Sequence, residues 1–157
     1  MNFAKILVPL DGSVLGEAAL EQALKVADGG TICLLRAAEA QTLPAADSPE
    51  AQIAALREAQ QYLKQISRSL ADRGLSVEAK VWYGPPAAAI VAAACSEKVD
   101  LIVMATHGRS GLERLVLGSV TESVLRSAPV PILVVRPEGV PADVVVGATP
   151  AGADFRV

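Results

Sequence analysis

Between Ala105 and Ser119 the chain reads Ala-Thr-His-Gly-Arg-Ser-Gly-Leu-Glu-Arg-Leu-Val-Leu-Gly-Ser, rich in small and polar residues where an anion would need access. Gly108 and Gly118 lack a Cβ, so the backbone amides beside them can approach a bulky anion. Ser119 opens a helix, and the first N–H groups of a helix have no intrahelical partner and carry partial positive charge. Phosphate is the chemistry that suits this segment. Arg109 and Arg114 can add charge-assisted hydrogen bonds to phosphate oxygens. Each residue also has a plainer use. Ser119-Val120-Thr121-Glu122 fits the capping-box pattern, in which Ser and Glu satisfy orphan helix donors. The glycines can be turn residues, the arginines surface charge, and His107, the only histidine, a residue that shapes the loop.

Other phosphate and catalytic signatures do not occur. The chain has no G-x-x-x-x-G-K-[ST] and no G-x-G-x-x-G after its first apolar run, which removes two common nucleotide folds. H-E-x-x-H, G-x-S-x-G and cysteine–histidine metal spacings are missing too. Only Cys33 and Cys95 carry thiols, and both are expected to be buried and reduced. A net charge of -3 offers no general attraction to nucleic acid or to an anionic membrane. The N-terminal apolar run is too short for a signal peptide's core, and no run approaches the roughly 20 apolar residues that cross a bilayer. A cytoplasmic protein without nucleic-acid or membrane partners is expected.

The elements that must position this loop follow from apolar patterning. Lys5 to Val8, Thr31 to Arg36, Asp100 to Ala105 and Ile132 to Val135 are β-prone runs, while 75–83 alternates and suggests a sheet margin. A helix over about 14–28 begins at Ser13. Another starts at Ser48-Pro49-Glu50, carries Ile53, Leu56, Leu63, Ile66 and Leu70 on one stripe, and stops at Gly74. Gly84-Pro85-Pro86 leads into an alanine-rich helix, and a last helix runs from about Ser119 to Ser127. The order βαβαβαβαβ specifies an α/β domain, a parallel sheet with helices on both faces. Ligands then bind beyond the carboxyl ends of the strands, where the winding direction switches.

The phosphate-suited loop, read with Ile6-Leu7-Val8-Pro9-Leu10-Asp11-Gly12-Ser13 and Pro129-Val130-Pro131-Ile132-Leu133-Val134-Val135, resembles the universal stress protein family over about residues 3–137. The resemblance implies a Rossmann-like five-stranded parallel sheet, a domain over 1–137 and a C-terminal tail, 138–157, that is expected to be partly disordered. It also implies an adenine nucleotide, ATP or else AMP or ADP, with Mg²⁺ bridging the phosphates. The family's nucleotide-binding branch carries G-x2-G-x9-G-[ST], whose later positions fall on Gly108, Gly118 and Ser119, and whose first falls on Ala105. By the same resemblance Asp11 accepts a hydrogen bond from the adenine or ribose side, while Pro9, Leu10 and Ala37 line the adenine pocket. Asp11 has a rival use as a cap or turn former. Ser13, Met104, Ala105, His107 and Arg109, with Val120 and Thr121, complete the implied nucleotide-binding set. No catalytic residue and no protein-held metal are assigned, so the expectation is a stress-response sensor or regulator with at most slow ATP hydrolysis. The alternative, which Ala105 leaves open, is a protein of the same fold that acts by protein–protein interaction without nucleotide. A homodimer through the last strand is expected as well.

Overall fold

A computed structural model describes residues 3–27, 29–39, 48–106 and 118–136. The apolar runs become β1 (Lys5–Pro9), β2 (Thr31–Ala38), β3 (Ser76–Tyr83), β4 (Leu101–Ala105) and β5 (Ile132–Val135). They alternate with α1 (Val14–Val26), α2 (Pro49–Asp72), α3 (Pro86–Ser96) and α4 (Ser119–Ser127). All strand pairs are parallel, in the order β3-β2-β1-β4-β5, so the winding reverses between β1 and β4. This is the expected α/β architecture.

Because neighbouring side chains of a strand point to opposite faces, the central strands supply two cores. Ile6, Val8, Ile32 and Leu34 pack with Leu20 of α1 and Leu63 of α2. Leu7, Cys33, Leu35 and Ile102 pack on the other side with Ile90 of α3 and Val124 of α4. The alternation read in β3 corresponds to its place at one edge, where none of its residues is fully buried.

Two expectations need correction. Ile53 is 48% exposed and does not join the buried stripe of α2, which runs through Ala59, Tyr62, Leu63, Ile66 and Leu70. A 24-residue helix is ~36 Å long against ~26 Å for an eight-residue strand, so α2 overhangs the sheet at its start. Cys95 is exposed on α3; only Cys33 is buried.

The end of the sheet where β1 begins is closed by charge. Lys5 Nζ lies 2.7 Å from Glu78 and 3.1 Å from Glu97, and Lys80 Nζ lies 3.3 Å from Glu97. Cys33, Glu78 and Glu97 bring their ligand atoms within 4.8 Å of one another, but the Lys5 ammonium already supplies the cation to both carboxylates. Burial pushes the Cys33 thiol up to about 11, so it stays protonated. Hydrogen bonds from Lys5 and then Lys80 hold the Glu97 carboxyl below its usual range, while Glu78 foremost raises Lys5. A depressed carboxyl contributes stability above its unfolded pKa and loses it as pH falls through the lower folded value. A raised lysine contributes below its unfolded pKa and loses it as pH rises through its folded value. Lys5→Met is therefore expected to lower the urea midpoint at neutral pH and to converge on the wild type as acid protonates the carboxylates. Parallel midpoint curves across the acid range would refute this account.

Candidate functional site

Beyond Pro9 the chain continues its pairing for one more step, with the Leu10 N–H donating to the Leu35 carbonyl at 2.8 Å. It then turns sharply into α1. Asp11 Oδ1 accepts the Ser13 N–H at 2.9 Å and the Ser13 hydroxyl as well. Ser13 in turn is the N-cap of α1, its Oγ accepting the Gly16 N–H at 3.1 Å. Asp11 is thus a turn former, and the residue also lines a cleft. The two uses are compatible: the turn fixes the carboxylate where β1 ends.

The cleft has a volume of about 260 Å³ and opens at the β1/β4 switch. Leu35 and Ala37 of β2 supply one part of its lining, Met104 and Ala105 the end of β4, and Pro86 and Ile90 the first turns of α3. Gly118, Ser119, Val120 and Thr121 bring in the start of α4. Asp11 is the only ionisable side chain among the described lining residues.

The entry to α4 differs from those of α1 and α2. Ser13 and Ser48 cap the latter two through their hydroxyls, Ser48 Oγ accepting the Ala51 N–H at 3.1 Å. At α4 the N-cap is Gly118, with no side-chain cap. The capping box anticipated for Ser119 and Glu122 is therefore not formed. Ser119 is the first helical residue, and Glu122 accepts from Arg126 Nη2 one turn on, at 2.6 Å. Gly118 has φ -61 and ψ 153, a backbone that any residue adopts. Glycine is not needed here for conformation; what it provides is a helix start whose amides no N-cap side chain covers.

Ten of the anticipated residues lie together on this cleft: Pro9, Leu10, Asp11, Ala37, Met104, Ala105, Gly118, Ser119, Val120 and Thr121. Ser13 does not reach it and is buried behind Asp11 as a cap. His107, Gly108 and Arg109 lie outside the described residues. Ala105 ends a regular strand, and Lys98 alone among described non-glycine residues has positive φ, so no glycine-only backbone is demanded at 105. The sequence reading missed Leu15, Gly16, Leu35, Pro86 and Ile90. Pro86 and Ile90 are four apart at a helix start, a spacing that places both on one face. Nothing local says that this face meets the switch point.

Comparison with known proteins follows the same outline. Residues 2–136 match the model of the universal stress protein family. The universal stress protein MJ0531 of Methanocaldococcus jannaschii is 36% identical over 140 residues, spanning 85% of this chain and 82% of that protein. The solved structure of MJ0577, from the same organism, superposes with a TM-score of 0.75 at 31% identity and covers 89% of this chain and 100% of its own. A universal stress protein solved in complex with cAMP gives a TM-score of 0.59 at 27% identity, over 87% of this chain and 98% of its own.

Proposed function

Since the chain belongs to the universal stress protein family, we propose that it binds an adenine nucleotide, ATP by preference, in the β1/β4 cleft and acts as a cytoplasmic sensor or regulator of stress. The observation that carries this reading is the open start of α4. A serine or aspartate at the N-cap stabilises a helix better than glycine, yet Gly118 gives no side-chain cap to the amides of Ser119, Val120 and Thr121, three residues that line the cleft. Phosphate is the complement to such a helix start. Opposite, Leu35, Ile90 and Met104 offer apolar surface for a purine, and Asp11 supplies one acceptor for its N–H or for ribose hydroxyls. The solved relative in complex with cAMP supports the choice of an adenine ring.

The lining fits the nucleotide better than it fits a metal. With Asp11 as the only described carboxylate of the cleft, Mg²⁺ would be carried chiefly by the phosphates and by water. Among the described lining residues the only candidate base is Asp11, already engaged by the Ser13 turn, and the segment 105–119 has no lysine. Turnover below about 1 s⁻¹, under the range typical of kinases, is the consequence. The protein is further proposed to dimerise through the edge of β5 that no described strand pairs.

Mass spectrometry of the purified, denatured protein is expected to release bound adenine nucleotide, and calorimetry to give ATP affinity between low micromolar and millimolar. An absence of both co-purified nucleotide and binding heat would leave the interaction-protein reading in its place. A metal-dependent steady-state rate within the kinase range would make the protein an enzyme instead.

A further inference from the structure

We propose that Arg36 is a positioning residue, the wedge on which the Asp11-Gly12-Ser13 turn rests and through which the cleft is braced against α2. The geometry stands on its own; the effect on affinity rests on the nucleotide reading above.

Arg36 precedes Ala37 on β2 and points to the opposite face, toward α1 and α2. There its guanidinium carbon lies 4.9 Å from the centroid of the Tyr62 ring. The Tyr62 hydroxyl donates to Glu17 Oε1 at 3.1 Å, in the first turn of α1, and both residues are buried. Burial first, and then the charge of Glu17, raise the pKa of the phenol, so it remains a donor. At the Nη1 end of the same guanidinium sits Gly12, with φ +84. A Cβ at Gly12 would collide with Arg36 Nη1 and stand 3.3 Å from Cζ. Glycine is required by its dihedral, and an added methyl would in addition have to displace the tip of the arginine.

The pair with Glu58 does not explain this placement. Its 3.4 Å separation and the 73% exposure of the Glu58 side chain make it a weak surface contact. The guanidinium is bounded by the aromatic ring and, at its Nη1 end, by the turn at Gly12. A planar, delocalised cation can stack on an aromatic face and still present its edge, whereas a lysine ammonium is a compact point charge on a flexible stem. Asp11 belongs to the same turn and is one of the residues that line the cleft. Without the wedge, the turn can settle toward β2 and carry Asp11 away from the wall formed by Met104 and α4. Displacements near half an ångström are enough to weaken a preorganised site.

The test compares wild type, Arg36→Ala and Arg36→Lys by amide hydrogen exchange without nucleotide and by calorimetry with ATP. The reporters are the Ser13 amide, held by Asp11, and the Gly16 amide, held by Ser13; Leu7 and Ile102 of the central strands report global stability. In Arg36→Ala the two turn amides are expected to exchange at least about tenfold faster than any change at Leu7 and Ile102 accounts for. ATP affinity should fall about tenfold, and lysine should restore only part of either loss. Gly12→Ala should then cost less affinity in the Arg36→Ala background than alone, because the added methyl enters space the guanidinium has left. Equal acceleration of turn and core amides would make Arg36 a general stability residue and overturn the proposal, as would unchanged turn protection. Should Arg36→Ala fail to fold, Arg36→Lys decides by the same two amides. A wild type that binds no ATP overturns the nucleotide reading alone, and the exchange data still judge the wedge.

Discussion

Gly118→Val is expected to lower ATP affinity by about 30-fold or more, ~2 kcal/mol, while the fold loses only about 1 kcal/mol to the poorer N-cap. The two halves of this expectation have separate causes. At φ -61 and ψ 153 valine meets no backbone strain, so α4 keeps its start and its packing through Val124. The branched side chain, however, stands over the amides that phosphate oxygens must approach. Gly118→Ser separates the effects further. Serine at the N-cap can accept a hydrogen bond from an amide two or three residues on, so it should stabilise the fold by a few tenths of a kcal/mol while it competes with phosphate for the same donor. Higher stability with lower affinity is the signature of a helix start kept open for a ligand. Calorimetry beside urea denaturation measures both. Unchanged affinity in the valine variant would remove the α4 start from the site.

The contrast between Ser119 and Gly118 shows what the sequence could and could not convey. The central strands were legible because buried strands of a parallel sheet are apolar on both faces, and Ile6 to Val8 or Leu101 to Met104 can be little else, whereas β3 showed itself by alternation. The alternation of strands and helices placed a ligand site beyond the carboxyl ends of the strands at a winding switch; that the switch lies between β1 and β4 comes from the strand order itself. Ser-x-x-Glu at 119–122 has the letters of a capping box, but the box depends on which residue takes the N-cap dihedrals. Gly118 takes them, and Glu122 turns to Arg126. Pro86 and Ile90 were missed for another reason. Their helix carries alanine around much of its circumference, so periodicity did not show which face meets the switch point. The Arg36, Tyr62 and Glu17 network joins three elements distant along the chain, and no short motif announces it.

Val134→Pro is expected to convert a dimeric wild type to a monomer at roughly tens of micromolar, with the dimer dissociation constant raised by about 100-fold or more. The choice of residue comes from the ladder. Ile102 N–H donates to the Pro131 carbonyl at 3.0 Å and Thr106 N–H to the Val135 carbonyl at 2.9 Å, so the odd-numbered residues of β5 face β4. Parallel pairing alternates, which leaves the N–H and C=O of Ile132 and Val134 directed to the open edge. Pro129 and Pro131 restrict how far that edge can extend, but they precede Ile132–Val135 and do not block it. Leu133 is 38% exposed and Leu125 of α4 is 43% exposed, which adds apolar surface on these two elements. Proline at 134 removes an outward N–H without taking a donor from the β4 ladder, the one placement an edge strand tolerates. None of the cleft-lining residues belongs to β5, so the monomer should keep its ATP affinity and serve as its own folding control. Light scattering and calorimetry on the same samples make the comparison. A variant that stays dimeric would move the interface elsewhere, and a monomeric wild type would mean that this edge is covered within the chain itself.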